Sequence, residues 1–104
     1  MVQLVWTAAG ARDLTRIRRF LGARDEASAR RAAKTIRDSV RRLARFPALG
    51  RTVEELPPEF REWFGPFGDS GYLVLYRLSG DRVSIVAVRH GRERSYATDE
   101  AATR

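Results

Sequence analysis

The 104-residue chain contains no cysteine, one histidine, one lysine and four prolines. Without thiols there is no disulfide, no thiolate metal site and no cysteine nucleophile. The single histidine, His90, is the only side chain whose ordinary pKa lies between pH 5 and 8, so acid–base chemistry near neutrality has one conventional candidate. No apolar run approaches the roughly 20 residues that span a bilayer. The opening Met1-Val2-Gln3-Leu4-Val5-Trp6 lacks the basic start of a signal peptide. The cytosol is the expected location, and neither a cofactor nor a metal is expected. There is no internal repeat, low-complexity segment or interdomain linker, so one domain with one core is anticipated.

What the chain does have is arginine. Twenty basic side chains face thirteen acidic ones, for a net charge of +7, and Lys34 is the only lysine. The charge is uneven. Residues 1–50 carry 12 basic and 4 acidic groups, a net of +8, whereas residues 51–104 carry 8 and 9, a net of −1. A basic half attracts nucleic acid, an anionic surface or an acidic protein, and the planar guanidinium suits phosphate and carboxylate.

Val2–Trp6 is short and apolar, the pattern of a strand, and Thr7 is placed to cap a following helix. In that helix Leu14, Ile17 and Leu21 recur at helical spacing, Arg12, Arg16 and Arg19 take the opposite side, and Gly22 is a candidate stop. A second helix opens at Asp25 and ends before Pro47, because the residue preceding proline is pushed out of helical geometry. Ala29, Ala33, Ile36, Val40 and Leu43 form its apolar face; Arg30, Lys34, Arg37, Arg41 and Arg45 form a cationic stripe. The two helices are expected to make a hairpin.

Pro47–Arg51 and Pro57-Pro58 mark an irregular connection. Phe60–Phe64 is a third-strand candidate, and Tyr72–Leu78 and Arg82–Val88 are strong ones, joined by Ser79-Gly80-Asp81 as a hairpin. The order β-α-α-β-β-β defines an α+β domain, with the helical hairpin covering one face of an antiparallel sheet. The domain is expected to span residues 1–96, with 97–104 a tail that has little to bury and is free to fray.

In this order the pieces resemble the RelE/ParE superfamily of bacterial toxins. They are the opening Val5-Trp6-Thr7, Asp13-Leu14, the run from Leu43 through Phe46-Pro47 to Gly50-Arg51, Arg61-Glu62, Gly71–Leu78 and Val83–Arg94. The resemblance covers about residues 3 to 96. It implies the toxin of a type II toxin–antitoxin pair, held in a hetero-oligomer by a cognate antitoxin. It also implies one of two activities: members on the ParE branch inhibit DNA gyrase without being enzymes, and members on the RelE branch are metal-free endonucleases that cut mRNA on the ribosome.

The nuclease pattern matches only in part. Arg92 fits an active-site arginine, but Leu73 stands where an arginine is expected, Phe64 and Pro66 lie near the places of lysines, and Thr98 replaces a tyrosine. An alternative catalytic set would draw on Arg61, Arg77, His90, Arg92 and Tyr96. Trp63, Tyr72 and Tyr76 could stack on bases, but aromatics in strands are more often core, and Gly50-Arg51 is more readily a plain turn than an anion contact. These departures favour gyrase inhibition, with Arg89, Arg92 and Arg94 as the target-binding surface. The antitoxin is expected on Leu14, Ile17, Arg37 and Arg41. A basic nucleic-acid-binding domain without toxicity is the remaining possibility. The ribosome and mRNA are the alternative partners to gyrase; no membrane partner is indicated.

Overall fold

The computed structural model describes residues 2–23, 25–65 and 71–90. The elements are β1 (Gln3–Trp6), α1 (Ala8–Gly22), α2 (Glu26–Arg45), β2 (Arg51–Thr52), β3 (Phe60–Gly65), β4 (Tyr72–Ser79) and β5 (Arg82–His90). The expected α+β order is present, with one addition. β2 is only two residues long and exposed, so no periodicity announced it; it exists because Arg51 and Thr52 pair with Glu62 and Arg61 of β3. The expected tail, 97–104, lies outside the described residues. Among the described residues no helix is long and apolar enough to cross a membrane.

Both predicted caps form. Thr7 Oγ1 accepts from the Gly10 amide at 3.0 Å, and the Asp25 carboxylate accepts from the Ala27 amide at 3.2 Å. Each occupies a donor that the first helical turn would leave unpaired. Gly22 closes α1 without a left-handed turn, since the following Ala23 has right-handed φ of −65°. α2 ends at Arg45; Phe46, held by the following proline, leaves helical geometry at φ −131°, ψ 72°.

The apolar face of α2 is buried as patterned, with Ala29, Ala33, Ile36, Val40 and Leu43 joined by Ala32 and Ala44. Full burial of Ile36, Val40 or Leu43 contributes roughly 1.5–3 kcal/mol each. These side chains meet Ile17 and Leu21 of α1 and Tyr72, Val74, Tyr76, Val83, Ile85 and Val88 of the sheet in one core. Tyr72 and Tyr76 are therefore core residues with 0% exposure, and they are not platforms for bases. Burial pushes both phenols above their ordinary value near 10. Their contribution to stability is therefore complete below that value and declines as the pH rises through the raised folded ones.

The sheet order is β1-β5-β4-β3-β2. β3, β4 and β5 are antiparallel neighbours, and Gly80 opens the tight β4–β5 turn at φ +60°, a conformation natural to glycine. β1 is the exception to the antiparallel expectation. It runs parallel to β5, Gln3 opposite Arg82 and Trp6 opposite Ile85. No short turn links the two, so hairpin geometry does not constrain them. The helix that follows β1 instead folds straight back over β5. Its approach is close at Gly10, where any Cβ would collide with the Ile85 carbonyl oxygen. Replacing Gly10 with alanine is expected to destabilise the protein by about 1–3 kcal/mol, the usual cost of overpacking, read as a lower denaturation midpoint in urea at unchanged slope.

Candidate functional site

Alternation along β4 divides the sheet into two faces. Tyr72, Val74 and Tyr76 lie under the helices; Leu73, Leu75 and Arg77 point to the other side. Along β5 the alternation is interrupted. Leu75 pairs with Ala87 and Tyr76 with Ile85, so Val86 is an extra residue, a β-bulge. Without it Arg89 would share the parity of Val83 and Ile85 and point into the core. With it, Val88 takes the core position and Arg89 stands opposite Leu73 on the face away from the helices.

Among the described residues no helix covers that face. Its centre is apolar: Leu73, Leu75 and Ala87 are neighbours by register, and Phe64, 56% exposed, stands opposite Leu73. A cleft of about 450 Å³ opens beside them, walled by Leu49, Phe64, Leu73 and Trp63 and edged by Arg51 and Glu62. Two of its cations, Arg51 and Arg77, lie at the margins in ion pairs. Arg51 Nη2 is 3.4 Å from Glu62 Oε1, and Arg77 Nε is 3.9 Å from Glu59 Oε2.

The end of β5 is held by α1. β1 stops pairing at Ile85, and beyond it side chains take a strand's place. The Thr7 amide (3.1 Å) and hydroxyl (2.7 Å) both donate to the Ile85 carbonyl oxygen. Asp13, only 9% exposed, accepts from the Val88 amide at 2.9 Å. Arg16 Nη2 donates to the Val88 carbonyl oxygen at 3.2 Å and lies 3.4 Å from Asp13 Oδ1. Both backbone groups of Val88 are thus occupied one residue before Arg89. Arg16 was expected on the solvent side of α1; it turns instead to the sheet. Asp13 and Arg16 went unassigned in the sequence, where the only signal was an acid and a base one turn apart in an otherwise cationic helix.

Of the alternative catalytic set, only Arg61 and Arg77 have described side chains, and these two lie on opposite sides of the sheet. Arg61 pairs with Tyr76 on the helix side of the sheet, whereas Arg77 lies on the open side. Arg61 Nη1 donates to the Gly50 carbonyl oxygen at 2.6 Å, while Tyr76 Oη accepts from the Gly50 amide at 2.9 Å and donates to the Pro47 carbonyl oxygen at 2.6 Å. Arg61 therefore pins the Pro47–Gly50 turn to the sheet. His90 ends β5 opposite Tyr72, but its side chain, like Arg92, Arg94 and Tyr96, lies outside the described residues. Of the expected antitoxin contacts, Leu14 is half-buried against the core, and Arg37 and Arg41 are exposed on α2. Ile17 is corrected: at 0% exposure it is core, because the helix hairpin and sheet close over it, and it offers no surface to a partner. No group of three or more His, Asp or Glu side chains among the described residues could hold a metal ion.

Residues 4–95 match the family model described as the ParE toxin of type II toxin–antitoxin system, parDE. The chain is similar to three toxins of Caulobacter vibrioides. It is 39% identical to Toxin RelE3, covering 80% of this chain and 87% of that one. Identity to Toxin RelE1 is 35%, covering 79% and 85%, and to Toxin RelE2 32%, covering 86% and 96%. The fold is similar to a chain of a chromosomal ParDE toxin–antitoxin system from P. aeruginosa, with a TM-score of 0.71 at 21% identity over 86% of this chain and 96% of that one.

Asp13→Ala is expected to cost about 1–3 kcal/mol, since it strips a buried amide of its acceptor. The Val88 amide should then exchange with solvent faster than in the parent protein. Asp13→Asn, which keeps an acceptor oxygen, should lose less. Equal hydrogen exchange at Val88 in the parent and the alanine variant would disprove the tie.

Proposed function

Because this chain belongs to the ParE toxin family of type II toxin–antitoxin systems, we propose that it is a growth-inhibiting toxin that grips DNA gyrase through the open face of its sheet and is neutralised by a cognate antitoxin. The observation that carries this is the apolar centre of that face, Leu73, Leu75, Ala87 and Phe64. Cleavage of a phosphodiester develops negative charge that converging cations must stabilise. Here the middle of the surface carries leucine and phenylalanine, and Arg51 and Arg77 sit at its edge, already paired with glutamates. Such a surface suits a protein partner, whose binding rests on desolvated apolar anchors inside a polar rim.

Arg89 belongs to the rim, beside Leu73. Arg92 and Arg94 follow it in sequence and are assigned to the same target surface by the family resemblance. Arg61 is assigned a structural part, in the turn it pins. The site of action is the cytoplasm, where gyrase and the antitoxin are found.

The competing activity, cleavage of mRNA on the ribosome, is favoured by the RelE names of the Caulobacter relatives. Two assays on the same purified protein separate the two. Gyrase with supercoiled DNA should accumulate cleaved DNA when the toxin is added, and a translation reaction should leave its mRNA intact. Ribosome-dependent mRNA cuts with gyrase unaffected would overturn the proposal. Leu75→Asp places a charge in the middle of the gripping surface and should weaken gyrase inhibition about 10- to 100-fold, the loss of 1.4–2.8 kcal/mol, with the far-UV circular dichroism of the parent protein retained.

A further inference from the structure

The helical layer carries a second surface that the open sheet face does not account for. Between α1 and α2 lies a cleft of about 460 Å³ lined by Arg18, Arg30, Arg31, Lys34 and Arg37, with Ala27 and Ala33 at its base. Among the described residues five cations face it and no carboxylate does. No ion pair joins Arg18 or Arg37 to an acid among the described residues. Arg30 and Lys34 have exposed partners at the cleft's margin, Glu26 at 3.5 Å and Asp38 at 2.7 Å. Surface pairs of this kind are weak and readily exchanged.

We propose that this cleft binds the phosphate backbone of double-stranded DNA. Arg30, Lys34 and Arg37 stand at successive turns of α2, and seven residues of helix rise about 10 Å. One strand of a duplex presents a phosphate for roughly every 3.4 Å of axis, so a row about 10 Å long lies within reach of several consecutive phosphates. Four of the five cations are arginines, whose planar fork forms paired hydrogen bonds to phosphate oxygens. The alternative of an acidic peptide is less suited, because the cleft offers only alanine methyl groups where a peptide would need an apolar anchor. Single strands are less suited as well, since they bind on aromatic platforms and no aromatic ring among the described residues lines the cleft. None of the lining residues belongs to the open sheet face. The site therefore stands whether or not gyrase is the target.

The test is fluorescence anisotropy of a labelled 20-base-pair duplex of arbitrary sequence, titrated with the purified full-length chain between 50 and 200 mM salt. The parent protein should bind with an affinity that falls steeply with salt, each neutralised phosphate contributing about 0.9 to the log–log slope. The triple variant Arg30→Gln, Lys34→Gln, Arg37→Gln should bind at least tenfold more weakly at 100 mM salt and lose about 2.7 from the slope. A control triple, Arg51→Gln, Arg77→Gln, Arg82→Gln, removes the same charge from the sheet side and should change both by less than half as much. Thermal melts of both triples, within a few degrees of the parent, exclude unfolding as the cause. The proposal is overturned if the control loses as much as the helix variant, since binding would then be diffuse attraction to a basic protein. It is also overturned if single-stranded DNA or duplex RNA binds as tightly as duplex DNA, or if polyglutamate binds and the duplex does not.

Discussion

The structure depends on how the first helix is fastened to the last strand. β1 supplies a parallel neighbour for β5 only as far as Ile85. Past that point the strand would present unpaired backbone groups to a partly buried environment, at a cost comparable to a lost hydrogen bond for each group. Thr7, Asp13 and Arg16 remove the cost by bonding to Ile85 and Val88 directly. Gly10, with no Cβ, lets the helix come close enough for them to reach. A short stretch of helix thus does the work of a strand edge, and it does so at the residues that lead into the arginine-rich run.

That fastening and the bulge at Val86 act together. The bulge reverses the inside–outside parity of β5, and the Asp13–Val88 bond holds the reversed segment in place. The result is a sheet whose helix side is a continuous aliphatic and tyrosine core and whose other side is an apolar patch rimmed by paired charges. On the opposite layer the exposed sides of α1 and α2 keep their excess of arginine. The protein therefore offers two chemically different surfaces on opposite sides of one core. The apolar patch suits a protein partner, and the cationic cleft suits a polyanion.

Much of the fold was legible along the chain. The caps at Thr7 and Asp25, the stop before Pro47, the buried face of α2 and the β4–β5 hairpin all follow from local chemistry, and all are present. β2 escaped notice because its two residues carry no pattern of their own. The candidate site was legible only in part. Arginines could be counted, but Arg61, Arg77 and Arg16 look alike in one dimension. Arg61 turns out to pin a turn, Arg77 to pair at a margin and Arg16 to close a strand edge. Ile17 was placed at a partner surface on the family resemblance; helical spacing shows which residues share a face and leaves open how completely that face is covered.

The sequence by itself determined the class of the domain, its lopsided charge and the lengths of its main helices and strands, since these depend on composition and on contacts a few residues apart. Only the tertiary structure decided the parallel seat of β1, the outward turn of Arg89 and the separation of Arg61 from Arg77 across the sheet. Those features depend on pairing between residues about 80 positions apart and on a single unmatched residue in β5. In a strand a shift of one position exchanges the two faces, and no count of residue types records on which side of the shift an arginine falls.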